Sequence, residues 1–257
     1  MNSPLNYFGG KSLLAKKIIP LIPEHTCYCE PFCGAAWVFF KKETSKVEVL
    51  NDRDFNIANL FRVIQHHPEE FLRQFKNAII SRKIFELEKK KDDDTLTDIQ
   101  RAVKTFYLLK NSFAGHPTNQ NFGSGAKGKP NLNLLNLEEI VLQVHWRLAR
   151  VWIECLDYTE CIKRYDRPET FFYIDPPYYK IRAYRHNLEP DDFGKMAEVL
   201  AKIAGKFIMS LNDNKEVRKI FKGFSIRAVS TKYSAMNTRK TGGGRGKERK
   251  EILISNI

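Results

Sequence analysis

The chain has 257 residues, 42% of them apolar, with 43 Lys and Arg against 30 Asp and Glu for a formal net charge of +13. That is enough for one large α/β domain, or a domain with a sizeable insertion, that folds alone, and the excess of positive charge points to a polyanionic partner, nucleic acid first. No apolar run is long enough to span a membrane and the start Met1-Asn2-Ser3-Pro4 lacks the basic and apolar regions of a signal peptide, so a soluble cytoplasmic protein is expected.

In chain order, Tyr7-Phe8-Gly9-Gly10-Lys11 sets an aromatic and a lysine beside a glycine pair. By itself this is also what a flexible basic start looks like. Gly10-Lys11-Ser12 matches the end of a phosphate-binding loop, but Leu5 stands where that loop needs its first glycine, which argues against a nucleoside triphosphate site. Residues 26–29 read as a short strand. They run into Glu30-Pro31-Phe32-Cys33-Gly34-Ala35-Ala36 and then a helical stretch at 37–42. Small residues in such a turn let backbone approach a ligand, and the helix behind it offers N–H groups. A second strand at 46–50 closes on Asn51-Asp52, with a helix from about 56 to 65. The βαβα order predicts parallel pairing with right-handed crossovers.

From 68 to about 150 helical periodicity takes over and predicts an insertion or second domain. Its expected parts are a long helix over 69–91, a helix over 97–109, a polar loop over 111–136 and a helix over 137–150. The run Lys89-Lys90-Lys91-Asp92-Asp93-Asp94 is locally neutral and reads as a solvated helix end. Gly123-Ser124-Gly125-Ala126-Lys127-Gly128 has the spacing of a dinucleotide fingerprint, but no strand precedes it and Pro130 follows, so it reads as loop. Strands return at 151–156, 171–174 and 206–211, with a helix over 190–204 between the last two. Final strands at 224–230 and 251–255 are joined by a glycine-rich basic loop. The five cysteines, Cys27, Cys29, Cys33, Cys155 and Cys161, are odd in number and lack paired spacing, so reduced thiols and no metal are expected.

The most informative segment is Asp175-Pro176-Pro177-Tyr178, entered from the apolar strand at 171–174. Two prolines fix two φ angles and supply no N–H, so the chain leaves the sheet as a stiff arch with carbonyls open to donors. Asp175 and the Pro176 carbonyl can then accept the two hydrogens of an exocyclic amine on a planar base, and Tyr178 can stack on its ring. A surface Pro-Pro turn is the bland alternative. Ligands of open α/β sheets bind beyond the strand ends, where Asp52 can reach ribose hydroxyls and Asp157 an adenine amine. Each acid taken singly is equally a helix cap or turn residue. Asn119, Gln120 and Asn121, with Lys127 and Lys129, form a polar cluster suited to base edges and phosphates. Arg239, Arg245, Lys247 and Arg249 lie in the basic loop, which suits a phosphate backbone and equally a solvated hairpin tip.

In this order the motifs resemble the Dam-type DNA adenine (N6) methyltransferase family over nearly the whole chain. The elements that carry the resemblance are residues 7–11, 30–36, Asn51-Asp52, Asp157, the unchanged Asp175–Tyr178 motif and the C-terminal stretch from Arg245. It implies a Rossmann-like S-adenosylmethionine-dependent sheet from 1–58 and 151–257, with an inserted, mainly helical target-recognition region at 59–150. It further implies S-adenosylmethionine held by Tyr7, Gly10, Lys11, Glu30, Pro31, Phe32, Gly34, Asp52, Asp157 and Asp175. The expected partners are double-stranded DNA, with GATC the family-level guess for the site, and a companion restriction endonuclease. Ala35-Ala36, where relatives often carry a further glycine, and Tyr7, where tryptophan is frequent, depart from the pattern and bear on affinity. Cytosine-N4 or RNA methylation and a non-catalytic DNA-binding protein are the competing readings. A nicotinamide oxidoreductase is disfavoured because no glycine fingerprint is correctly placed.

Overall fold

The structure, a computed structural model, describes residues 1–123, 129–232 and 248–257, with the backbone alone described at 231–232 and 248–250. The N-terminal segment carries a one-turn helix, α1 (Ala15–Ile18), and leads into β1 (Cys27–Glu30), α2 (Trp37–Lys41) and β2 (Val47–Asn51). Among the described residues that follow are the α-helices α3 (Phe55–His66), α4 (Pro68–Arg73), α5 (Arg82–Lys90), α6 (Asp98–Asn111) and α7 (Leu137–Leu148). The chain then returns to the sheet through β3 (Val151–Glu154), α8 (Tyr158–Tyr165), β4 (Thr170–Ile174), α9 (Pro190–Leu200), β5 (Lys206–Asn212), α10 (Lys215–Ile220), β6 (Ser225–Lys232) and β7 (Glu248–Ser255).

The strands form one seven-stranded sheet in the order β3-β2-β1-β4-β5-β7-β6. The first five are parallel, and β7 inserts antiparallel between β5 and β6. This is the Rossmann-like arrangement expected. Strand order reverses between β1 and β4, so their carboxyl ends open the crevice in which such sheets bind ligands.

Side chains alternate across the sheet with the period of two that strand geometry imposes. Tyr28, Leu50, Phe171, Tyr173 and Ile208 pack into a core shared with α1 to α7, whereas Cys29, Val49, Phe172, Ile174 and Met209 pack into a second core with α8, α9 and α10. Every residue of β4 is buried, the mark of a strand covered by helices on both faces.

The expected single helix over 69–91 is two helices. Phe75 turns inward against Phe71 and Phe106, at ring separations of 5.2 and 5.7 Å. The Tyr107 hydroxyl bonds the Ile79 carbonyl at 2.8 Å, and Ser81 caps α5 by accepting the Lys83 N–H at 3.1 Å. The lysine-aspartate run is also more than a solvated end. Asp93 is half-buried and accepts from Lys104 at 2.7 Å, Asn56 at 3.0 Å and Arg185 at 3.2 Å. Burial alone would raise its carboxyl, but these donors outweigh burial and hold it at about 2. Helices α8 and α10 go beyond the elements expected from the sequence. Among the described residues no helix is long and apolar enough to cross a membrane.

Candidate active site

Four acids stand at the carboxyl ends of neighbouring strands. Glu30, the last residue of β1, is 1% exposed. Its Oε1 accepts the Tyr28 hydroxyl at 2.7 Å and the Phe39 N–H at 2.8 Å, which caps α2 from the sheet and closes the intervening turn. Burial pushes its carboxyl up to about 8. Within the turn Gly34 has φ +46° and its N–H donates to Asp52 Oδ2 at 2.8 Å, while Asp52 Oδ1 accepts the Asp54 N–H at 2.9 Å. Burial raises Asp52 to about 7. Ala36, one of the departures from the family pattern, adopts the left-handed φ of +50° that favours glycine.

Asn51, with no exposed surface, ties this turn to the next strand end. Its amide donates to the carbonyls of Pro31 at 2.8 Å and Leu156 at 3.1 Å, and its Oδ1 accepts the Leu156 N–H at 2.8 Å. Asp157 caps α8, accepting from the Thr159 N–H at 3.0 Å and hydroxyl at 2.7 Å, with the Arg53 guanidinium at 3.5 Å. Cap and cleft wall are therefore the same residue. Beside it the rings of Phe32 and Tyr158 lie 5.2 Å apart and 28° from parallel, a flat apolar wall.

Asp175 leaves β4 into the arch. Its Oδ1 accepts the Ser210 hydroxyl at 2.9 Å and lies 2.9 Å from the Lys11 ammonium, and Tyr173 in turn meets Ser210 at 2.9 Å. Burial raises the Asp175 carboxyl, and Lys11 works against that rise. Tyr178 is 8% exposed; its hydroxyl accepts from Lys11 at 2.8 Å and its ring centre lies 4.5 Å from the ammonium. It packs in the second core. After it the chain is turned back by Asn212, whose Oδ1 accepts the Tyr179 N–H at 3.1 Å.

These elements form an open cleft lined by Tyr7, Gly10, Lys11, Glu30, Pro31, Phe32, Gly34, Asp52, Asp157 and Asp175. All ten residues expected around the cofactor thus meet in one place. Pro177 and Phe8 also line it, as do Trp37, Tyr184 and Arg185, which sequence reasoning did not single out. At Gly10 a Cβ would fall 2.7 Å from Trp37 Nε1 and 2.9 Å from the Tyr7 carbonyl, so close approach demands glycine.

The polar loop expected to read bases packs against Phe8, which lines this cleft. It is closed by the Ser112–Phe122 bridge and the Phe113 N–H to the Asn121 carbonyl at 2.8 Å. The Gly115 carbonyl accepts the Phe8 N–H at 2.9 Å, His116 stacks on Phe8 at 4.1 Å, and the Thr118 hydroxyl bonds the Ala183 carbonyl at 2.9 Å. Asn119, Asn121 and Lys129 are exposed, but Gln120 is 8% exposed and faces a hollow that also holds Asn56 and Lys104. Lys127, Arg239, Arg245 and Lys247 lie outside the described residues. Arg249 falls in β7, its backbone opposite Thr231.

A sequence model of the family described as D12 class N6 adenine-specific DNA methyltransferase matches residues 7–235, which span both the cofactor turn and the arch. The chain belongs to that family. It is an adenine-specific DNA methyltransferase. The Type II methyltransferase M1.LlaDCHI of Lactococcus lactis subsp. cremoris is 24% identical to it over 96% of this chain and 93% of its own length. The DNA adenine methylase of Vibrio cholerae serotype O1 is 23% identical over 95% and 92%. That of Escherichia coli strain K12 is 22% identical over 70% of this methyltransferase and 66% of the relative.

Proposed function

We propose that this methyltransferase takes its methyl group from S-adenosylmethionine in the cleft and delivers it to N6 of an adenine flipped out of duplex DNA. The observation that carries this reading is the Asp175 carboxylate, fixed at Oδ1 by Ser210 and Lys11 at the sheet's switch point. The cleft fits that donor. Glu30 and Asp52 supply carboxyls for an ammonium and for ribose hydroxyls, and the Phe32–Tyr158 wall beside Asp157 suits a purine. When bound, the donor supplies an electrophilic methyl carbon on a sulfonium.

Adenine N6 is a poor nucleophile because its lone pair is delocalised into the ring. Asp175 and the Pro176 carbonyl accept its two hydrogens and localise that pair toward the methyl carbon. The donor, held by the residues that line the cleft, would supply the methyl carbon with its sulfur as the leaving group, and the methylated amine would give up one proton. The Tyr178 hydroxyl accepts from Lys11, and the aromatic residues that line the cleft include Tyr7, Phe8 and Tyr184. Flipping costs on the order of a few kcal/mol, offset by phosphate contacts. Residues 59–150 serve as the target-recognition part, with the loop at 112–122 reading bases and the basic loop holding phosphate. All five cysteines are thiols, the state a reducing cytoplasm maintains, and that is the compartment proposed. A companion endonuclease is the partner that the type II relative's name suggests.

The deciding experiment maps modified bases in DNA from cells that express the wild type or Asp175→Ala. N6-methyladenine at one short sequence, with GATC examined first, is expected from the wild type alone. Methylated cytosine, or equal modification by both proteins, overturns the reading.

A further inference from the structure

The family resemblance groups Lys11 with the cofactor contacts, but its surroundings assign it elsewhere. An ammonium has three N–H donors. Three acceptors stand within hydrogen-bond distance of this one: the Asp175 carboxylate at 2.9 Å, the Tyr178 hydroxyl at 2.8 Å and the Gly9 carbonyl at 3.1 Å. The residue is 3% exposed, and a buried cation is kept only where its charge and its donors are matched. These partners therefore occupy the donors that a cofactor contact would need.

The contact with Asp175 is also one-sided. Lys11 and Ser210 both approach Oδ1, and among the described residues no hydrogen bond falls on Oδ2. We propose that Lys11 is a positioning residue: with Ser210 it fixes Oδ1 and keeps Asp175 a carboxylate, so that Oδ2 is the acceptor presented to the target amine. The inference rests on the proposed role of Asp175 as that acceptor. The other groups facing Asp175 make the cation necessary. Glu251 of β7 and Glu30 of β1 lie on the acidic side, and the hydroxyls of Tyr173 and Ser210 are neutral. Burial and Glu251 both favour protonation of Asp175, and Lys11 opposes them. Protonation would turn an acceptor into a donor aimed at another donor.

The test compares the wild type with Lys11→Met and Lys11→Arg. Single-turnover transfer of tritiated methyl to the mapped duplex is followed against pH, and S-adenosylmethionine affinity is measured by calorimetry. In Lys11→Met the acidic limb should move up by roughly 1–3 pH units, the shift an adjacent cation produces. Cofactor affinity should hold within about threefold, and Lys11→Arg should restore the limb. An unmoved limb with cofactor affinity reduced about tenfold or more would make Lys11 a cofactor contact and overturn the proposal. A second readout does not need turnover: carboxyl ¹³C titration of aspartate-labelled protein, with the Asp175 signal assigned through Asp175→Asn. If Lys11→Met does not fold, the same titration of Ser210→Ala and Lys11→Arg decides. Asp175 must titrate higher without the serine donor and near the wild-type value with arginine, and any other pattern overturns the proposal. If Asp175→Ala retains turnover, the acceptor role fails by itself, while the titration still reports whether Lys11 governs the charge of Asp175.

Discussion

The Gly34 N–H donates to the Asp52 carboxylate at 2.8 Å, joining the end of β2 to the turn that follows β1. Ligand contact at either residue is therefore felt at the other. Burial raises Asp52 to about 7 and Glu30 to about 8, so near neutral pH both carry a substantial protonated fraction in the empty cleft. A cationic cofactor favours their charged forms. Cofactor binding at pH 7 should release protons, seen as a calorimetric enthalpy that changes with the ionisation heat of the buffer. Glu30→Gln should shrink that dependence; a buffer-independent enthalpy in the wild type would refute it.

The same two carboxyls set a slope of stability with pH. Unfolded, they ionise near 3.9 and 4.3; folded, at about 7 and about 8. Between these values the folded state holds more protons, so their contribution is complete below about pH 4 and is lost as pH rises through the folded values. The cofactor-free protein should melt at a lower temperature at pH 8.5 than at pH 5.5, and the double change Asp52→Asn, Glu30→Gln should flatten the difference. Melting that rises with pH across this window would contradict the assignment.

Asn51→Ala removes three hydrogen bonds made by a buried side chain and leaves the Pro31 and Leu156 groups unmatched. The expected loss is about 1–3 kcal/mol for each group left unsatisfied, together with weaker cofactor binding as the turn loosens. Denaturant unfolding measures the first and titration the second. A change within about 0.5 kcal/mol, the range of inert surface substitutions, would show that Asn51 does not organise the turn.

What was legible in the sequence was local. The strand-end acids, the small-residue turn and the proline arch announce themselves within a few residues, and the sheet brings them together as expected. The break at 74–81 is not local: apolar spacing continues through Phe71 and Phe75, and the turn is decided by Phe106, far along the chain. Asp93 reads as solvated in the sequence because its partners Asn56, Lys104 and Arg185 come from three other segments. Ser210 gave no sign, since one serine in an apolar strand is unremarkable until Asp175 is seen beside it. Asn212 had a usable signal, being a polar residue that ends a buried strand as the acids do.

Exposure divides the amide cluster. Asn119 and Asn121 are exposed and Gln120 is buried. Alanine at Asn119 or Asn121 should alter the ranking of the mapped site over its single-base variants, by about 1–3 kcal/mol for each bidentate hydrogen-bond pair to a base edge that is removed, whereas Gln120→Ala should lower stability and leave ranking alone. Replacing Arg245, Lys247 and Arg249 together should weaken all duplexes alike and flatten the salt dependence. Competition binding at several salt concentrations separates the two effects. A changed ranking in the triple variant, with none in the asparagine variants, would reverse the assignment.

Gly115 has φ +64°, and a Cβ there would sit 2.4 Å from the Asn6 carbonyl carbon. Gly115→Ala adds a left-handed penalty of about 1–2 kcal/mol to a backbone clash that pushes residues 6–8 off the loop. Melting temperature and cofactor affinity should fall together. A variant with wild-type values in both would mean that the clasp contributes nothing.

That clasp has a thermodynamic consequence. The loop at 112–122 is bonded to Phe8 on one side and to Ala183 on the other, so it touches chain that precedes and chain that follows Asp175 in sequence. Two ligands that meet one shared element are linked reciprocally: whatever factor a bound duplex adds to the hold on the methyl donor, the donor adds to the hold on the duplex. Where that factor differs between duplexes, discrimination between DNA sequences varies with the concentration of the donor.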